Sequence, residues 1–330
     1  MADPVLQLDD VSVTFGRPRS LSDVIARRPR SDVRAVDEVS LELRPGEVLA
    51  VVGESGCGKT TTANVIMGLL SPSAGRVLIR GENLAGLSGG ELRRSRRKMQ
   101  MVFQDPYESL NPRMTVGQIV AEPLQVHRAA TGPELVRRVA IALDRAGLRP
   151  PERYLGVRPN ELSGGQRQRV VIASALALEP DVLVADEPVS MLDVSIRADI
   201  LNLLASLARD QGIAVVMITH DMSTVAAYSD RIAVMYLGRI VETGPTLSVL
   251  TTPSHPYTRA LLSVVPVPHP SQRKPRIILS GETPDPGRIP AGCRFNPRCP
   301  LVFDRCRVDD PRLMPAGSPG HDAACWLVGG

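Results

Sequence analysis

Three things are scarce in this chain. Aromatic residues are 3% of its 330 residues, with four Phe, five Tyr and a single Trp, so any stacking role must be filled from very few rings. Long apolar runs are missing: stretches such as "VVIASALAL" at 170–178 fall well short of the roughly 18 residues that a membrane-spanning helix requires, so no segment is expected to cross a bilayer. The opening "MADPVLQLDD" carries neither the basic start nor the apolar stretch of a signal peptide. Charge of one sign is scarce as well. Lys+Arg 39 against Asp+Glu 35 leaves +4, too small a surplus to argue for nucleic acid or an anionic membrane as a partner.

What the chain does have is apolar mass and a lopsided cysteine distribution. With 43% hydrophobic residues it can bury a full core, and its length fits roughly two domains. Cys57 stands alone in a glycine-rich stretch, and the other four cysteines, Cys293, Cys299, Cys306 and Cys325, crowd the end of the sequence. In a cytosolic chain such a cluster favours metal over disulfide.

Strand and helix patterns alternate. "VLQLDDVSVTF" reads as an edge strand, residues 17–34 as a charged, proline-bearing surface insertion, and "EVLAVVG" as a buried strand leading into "GESGCGKTT" and a helix. Residues from about 113 to 175 have helical periodicity and predict an inserted helical subdomain. "DVLVADEP" and "GIAVVMITHD" are apolar throughout, as central parallel strands are. An α/β layered core over 1–250 is expected, with an antiparallel β subdomain and a separate, loop-rich region over 251–330.

"GESGCGKT", Gly53 to Thr60, has the spacing G-x-x-x-x-G-K-[ST] between a strand and a helix, the context in which it cradles phosphates. Backbone N–H groups of Gly53, Glu54, Ser55, Gly56, Cys57 and Gly58 and the helix start at Thr60 and Thr61 face the anion. Lys59 reaches the outer phosphates and the Thr60 hydroxyl serves Mg²⁺. Cys57 reads as a small filler, because no evident base sits beside it. Asp186 and Glu187 close an apolar strand, at the edge where ligands of open α/β sheets bind; Asp186 is the Mg²⁺ carboxylate and Glu187 the group that polarises water. His220 follows another buried strand and is placed near the terminal phosphate.

"LSGG" occurs twice, at 87–90 and 162–165, and each copy suits a helix cap. The second precedes Asp186 by one helix and one strand. With "GESGCGKTT", Gln104 in "MVFQDP", "LSGGQRQR", "DVLVADEP", "SMLD" and His220 in this order, residues 5–245 resemble the ATP-binding cassette (ABC) ATPases, with a P-loop NTPase fold. The resemblance implies ATP and Mg²⁺, with Gln104 joining Thr60 and Asp186 around the metal. It also implies a head-to-tail pair in which Ser163, Gly164, Gly165 and Gln166 of one cassette complete the site of the other. Asp193 is then an interface residue, against the simpler reading of a solvated turn, and Phe15 is the adenine-stacking ring. The first LSGG is expected to be a cap only.

"VFQDPYESLNPRMTVGQIVAEPL", "SHPYTRALLSVVP" and "GCRFNPRCP" resemble the oligopeptide/dipeptide importer ATPases. That resemblance implies a peripheral ATPase on the cytoplasmic face of the membrane. Its partners would be a second, related ATPase, two transmembrane permease subunits and an extracytoplasmic peptide-binding protein. Pro106, Tyr107, Leu110 and Asn111 would meet the permeases, and no nucleic acid is implied. An importer ATPase for nickel or another small solute, or a non-transport soluble ABC ATPase, are the alternative readings. Cys293, Cys299, Cys306 and Cys325 follow C-x5-C-x6-C-x18-C, wider than the C-x2-C pairs of structural zinc. The spacing suits a [4Fe–4S] cluster, which some peptide-importer ATPases carry; zinc, or reduced or disulfide-paired cysteines, stay open, with His321 as a substitute ligand.

Overall fold

A computed structural model of the chain describes residues 3–16, 32–265, 275–281 and 284–328. Two sheets form its frame. A four-stranded antiparallel sheet has the order β2-β1-β4-β5, from β1 (Leu6–Gly16), β2 (Asp32–Leu43), β4 (Ala74–Ile79) and β5 (Glu82–Asn83). The larger, eight-stranded sheet runs β11 (Met314–Pro315), β12 (Asp322–Ala323), β10 (Arg239–Pro245) and then β9-β3-β8-β7-β6. Its parallel part is β9 (Arg231–Tyr236), β3 (Val48–Val52), β8 (Ala214–Thr219), β7 (Val182–Asp186) and β6 (Met99–Val102).

The unbroken apolar runs of β3, β7 and β8 follow from their position between two cores. Successive side chains of a strand point to opposite faces. Leu49 and Val51, Val182 and Val184, and Val216 and Ile218 therefore face a core shared with the antiparallel sheet. Ala50 and Val52, Leu183 and Ala185, and Val215 and Met217 face a second core, shared with the helices. That second layer includes α2 (Val116–Val126), α3 (Gly132–Arg145) and α4 (Gly164–Leu176), inside the span expected to be helical. Thr115 opens α2 with a capping box: its amide donates to Gln118 Oε1 at 2.8 Å and its hydroxyl accepts from the Gln118 amide at 3.3 Å.

Residues 17–31, most of the stretch read as an insertion, lie outside the described residues. Its last three positions are strand instead: Asp32, Val33 and Arg34 pair with Gly16, Phe15 and Thr14. Cross-strand pairing supplied what the local charge and proline pattern hid.

The chain after residue 251 returns to the large sheet. Strand β12 (Asp322–Ala323) pairs with β10 (Arg239–Pro245), and β11 (Met314–Pro315) pairs with β12. Phe295 is 1% exposed and packs in the helix-side core. Arg294 donates to the Leu237 carbonyl, and its buried guanidinium pairs with Asp37 of β2. Burial raises the Asp37 carboxyl, but Arg294 and Arg239 more than offset it and hold the group below its ordinary range. Buried charge is tolerated here because it is paired.

Candidate functional site

Strand β3 ends in the phosphate loop, and α1 (Lys59–Ile66) begins directly after it. Gly58 has φ of 108°, and a Cβ there would lie 2.3 Å from the Ala35 carbonyl oxygen, so both the turn and the close strand demand glycine. Lys59 is 8% exposed and folds back over the loop: its Nζ donates to the carbonyls of Gly53 at 2.8 Å and Glu54 at 2.9 Å. Both acceptors are neutral carbonyls, whereas phosphate oxygens would bring charge to the ammonium. Cys57 is buried, and burial pushes its thiol up against the opposing charge of Lys59; it packs in the core beside the antiparallel sheet.

The strand ends bring the other expected residues into the same cleft. Ser55, Gly56, Gly58, Lys59, Thr60, Thr61, Gln104, Asp186, Glu187 and His220 line one pocket. Asp186 ends β7 almost buried, and burial pushes its carboxyl up, with Glu187 adding to the rise. A hydrogen bond with the Thr60 side chain and the charge of Lys59 act in the opposite direction. The buried carboxyl and the Thr60 hydroxyl offer the oxygen ligands that a hard divalent cation takes, and the Lys59 ammonium suits phosphate beside it.

Glu187 is held on both sides. Gln104 Nε2 donates to its Oε2 at 3.1 Å, and His220 Nδ1 lies 2.9 Å from its Oε1. Its backbone has φ of 43°, a left-handed conformation rare outside glycine, and its amide donates to the Ile218 carbonyl of β8 at 2.9 Å. Such strain persists where surrounding structure fixes it, and here the neighbouring strand does so. The result is a carboxylate aimed into the cleft by two strands and two side chains.

Phe15 does not line this pocket; it is 44% exposed and pairs in register with Val33, which does. Val33, Ala35 and Pro286 complete the lining. Nothing local marks them in the sequence: the first two arrive by strand pairing and the third from the far end of the chain. Ser163, Gly164, Gly165 and Gln166 lie outside the pocket, at the start of α4, where the Ser163 hydroxyl accepts from the Gln166 amide at 3.3 Å. Gly165 packs against Ile196 of α5 (Val194–Gln211), and a Cβ on it would lie 2.5 Å from Ile196 Cγ2. Asp193 immediately precedes α5. Tyr107, expected at a permease surface, carries the Arg167 guanidinium over its ring at 4.2 Å, joining the short helix Pro106–Ser109 after Gln104 to α4.

Cys293, Cys299, Cys306 and Cys325 do converge, lining one enclosed pocket with His255 and Phe295. They do not form the expected ligand set. Among the described residues no three His, Cys, Asp or Glu side chains are grouped so as to hold a metal ion, and all five cysteines are free thiols. Burial pushes the Cys293 thiol up to about 12 and also raises Cys299 and Cys325, which favours the protonated form of these three. His321, expected as a substitute ligand, is not among the residues that line this pocket. Its Nε2 meets Glu242 Oε1 at 2.7 Å with both side chains fully buried, and the Glu242 carboxylate also accepts the amides of Ser254 and His255. One nitrogen of the imidazole is taken up by a carboxylate, and Nδ1 is buried without a hydrogen-bond partner.

Among the described residues no helix is long and apolar enough to cross a membrane. Residues 36–190 match the family described as ABC transporter, and residues 241–306 match the oligopeptide/dipeptide transporter C-terminal region. A probable peptide ABC transporter ATP-binding protein of Sinorhizobium fredii is 50% identical over 297 residues, covering 89% of this chain and 83% of that protein. The oligopeptide transport ATP-binding protein AppF of Bacillus subtilis is 44% identical over 328 residues, 98% of each. Among solved structures, a dimeric ATP-binding cassette in a post-hydrolysis state bound to ADP and Pi is 32% identical with a TM-score of 0.63, covering 73% of this chain and 98% of that one. The chain thus belongs to the ATP-binding proteins of ABC transporters, in the oligopeptide/dipeptide branch.

Proposed function

We propose that this chain binds and hydrolyses ATP to power peptide import by an ABC transporter. The observation that carries the chemistry is Glu187, fixed between Gln104 and His220 at the rim of the phosphate cleft. Lys59 and the loop amides hold the outer phosphates, and exchange of Lys59 from the Gly53 and Glu54 carbonyls to phosphate accompanies binding. Thr60, Gln104 and Asp186 would hold Mg²⁺, which offsets phosphate charge when bound. Glu187 accepts a hydrogen bond from the attacking water and polarises it toward the terminal phosphorus. His220 orients Glu187 and is placed to meet the oxygens of the terminal phosphate. Phe15, beside Val33, is the ring for adenine.

Ser163, Gly164, Gly165 and Gln166 are read as completing the site of a second cassette. A capped, glycine-bearing helix N-terminus is an anion-binding end, and its place outside its own chain's pocket leaves it available to another. Asp193 sits at the adjoining helix start and belongs to the same interface. The partners are a related ATPase, two permease subunits and an extracytoplasmic peptide-binding protein, at the cytoplasmic face of the membrane. Uptake of nickel or another solute has no observation in its favour.

The [4Fe–4S] reading of the cysteine pocket requires the four sulfurs to draw together and lose their protons. Iron and acid-labile sulfide in the protein purified under nitrogen test it; their absence removes it. For hydrolysis the test is Glu187→Gln, expected to retain ATP while lowering turnover roughly 100-fold or more. Undiminished turnover would show that Glu187 is not the group that polarises the water.

A further inference from the structure

Glu54, the second residue of the phosphate loop, is gripped by the C-terminal part of the chain. Its amide donates to the Tyr257 hydroxyl at 2.9 Å, and its carboxylate accepts from Arg298 at 2.9 Å, residues 203 and 244 positions away. Its carbonyl accepts from Lys59 at 2.9 Å. One loop residue thus joins the C-terminal region to the ammonium that must move when phosphate enters.

The two anchors are themselves rigidly set. Tyr257 starts α6 (Pro256–Ser263), is fully buried, and packs its ring 4.8 Å from Tyr236 and 5.5 Å from Phe295. Phe295 meets Tyr236 edge-on at 5.3 Å. The Arg298 side chain is 10% exposed, lies 5.9 Å from the Tyr236 ring centre and reaches the Tyr236 hydroxyl at 3.5 Å. A chain with few rings places three of them here, between the phosphate loop and the cysteine pocket. Because the pair is well shielded, its charge-assisted hydrogen bond keeps more of its strength than a surface ion pair.

We propose that Arg298 and Tyr257 are positioning residues for the phosphate loop, so that the C-terminal region sets nucleotide affinity. With the Glu54 amide turned to Tyr257 and its carboxylate to Arg298, the following amides of the loop face inward without first having to be ordered. Removing either anchor makes binding carry that ordering cost. The inference rests on the cleft being the ATP site, and it adds a contribution to that site from outside the cassette motifs.

The experiment is ADP and ATP affinity on the purified full-length chain, by titration calorimetry, with KM and kcat measured in the assembled transporter. Arg298→Ala is expected to weaken ADP roughly tenfold and raise KM with little change in kcat, and Tyr257→Phe to weaken it roughly threefold. Arg298→Lys restores part of the loss, since an ammonium still reaches the carboxylate. In a double-mutant cycle, Arg298→Ala in a Glu54→Gln background costs little more than either change alone. Wild-type affinities in both anchor variants, with only a lowered melting temperature, would reduce the contact to a structural staple. So would additive losses in the cycle. Failure of the wild-type chain to bind ADP would instead overturn the ATP reading itself.

Discussion

The two Leu-Ser-Gly-Gly segments are the same four residues in the same local structure, and they sit in different surroundings. Ser88 and Ser163 each precede a helix and each closes a capping box: the Ser88 amide donates to Glu91 Oε2 at 2.8 Å, and the Ser163 amide to Gln166 Oε1 at 3.0 Å. The difference lies in the glycines. A Cβ on Gly89 or Gly90 would meet nothing within 4 Å. On Gly164 it would touch Leu192 at 3.4 Å and lie 3.7 Å from the Tyr107 hydroxyl, and on Gly165 it would collide with Ile196. In the first copy glycine is optional. In the second it lets α4 lie against α5, beside the loop that follows Glu187. The same short sequence is therefore a cap in one place and part of an assembled surface in the other, and only tertiary packing separates them.

Serine replacement opens that difference widest. Ser163→Ala in the assembled transporter is expected to lower ATP turnover on the order of 100-fold, the effect of losing one donor to a transition-state oxyanion. Ser88→Ala should leave turnover within about twofold, since both variants share only the loss of a cap, about 1 kcal/mol. Steady-state hydrolysis in the presence of the permeases measures both. Equal losses would mean that the second copy, too, is only a cap.

Gly165→Ala comes next. Ile196 is β-branched, so its Cγ2 cannot swing away without changing rotamer, and overpacking of this kind costs about 1–3 kcal/mol. Thermal or urea unfolding should show a lower midpoint, and Ile196→Val, which keeps Cγ2, should not rescue it, whereas Ile196→Ala should. If Gly165→Ala melts like wild type, the helix contact is not the reason for the glycine.

How much of this could be read without the structure follows the same division between local and assembled. The phosphate loop is legible because strand, turn and helix are consecutive, and its lysine and threonine are delivered by that turn alone. Asp186, Glu187 and His220 are nearly as legible, because parallel strands end at one edge and the residue after each strand arrives there. Strand β2 begins at Asp32, inside the stretch read as an insertion, where Asp32, Val33 and Arg34 pair with β1. The cysteine spacing points correctly to one pocket, but protonation, sulfur placement and the capture of His321 by Glu242 depend on loops that have no periodicity to read. Arg298 and Tyr257 lie in the stretches "GCRFNPRCP" and "SHPYTRALLSVVP" that resemble the importer ATPases, but neither stretch says what its residues touch. Their partner is a loop residue whose own motif position tolerates any side chain, so the contact exists only once the chain has closed on itself.

The smallest effect belongs to the first copy, where the comparison predicts a gain. Gly90 sits in the first turn of a short helix, with open space where a side chain would go. Alanine there restricts the unfolded chain and favours the helix without displacing any neighbour, so Gly90→Ala is expected to stabilise the protein by about 0.5–1 kcal/mol. The capping exchange between Ser88 and Glu91 should survive, because its two partners flank the substituted position and use neither its side chain nor its Cβ space. Chemical denaturation should give a higher midpoint at unchanged slope, with ATP turnover unaltered. The equivalent change at Gly165 moves stability the opposite way. A loss at both positions would show that an unseen partner covers the first helix, and that the two copies are less different than their packing indicates.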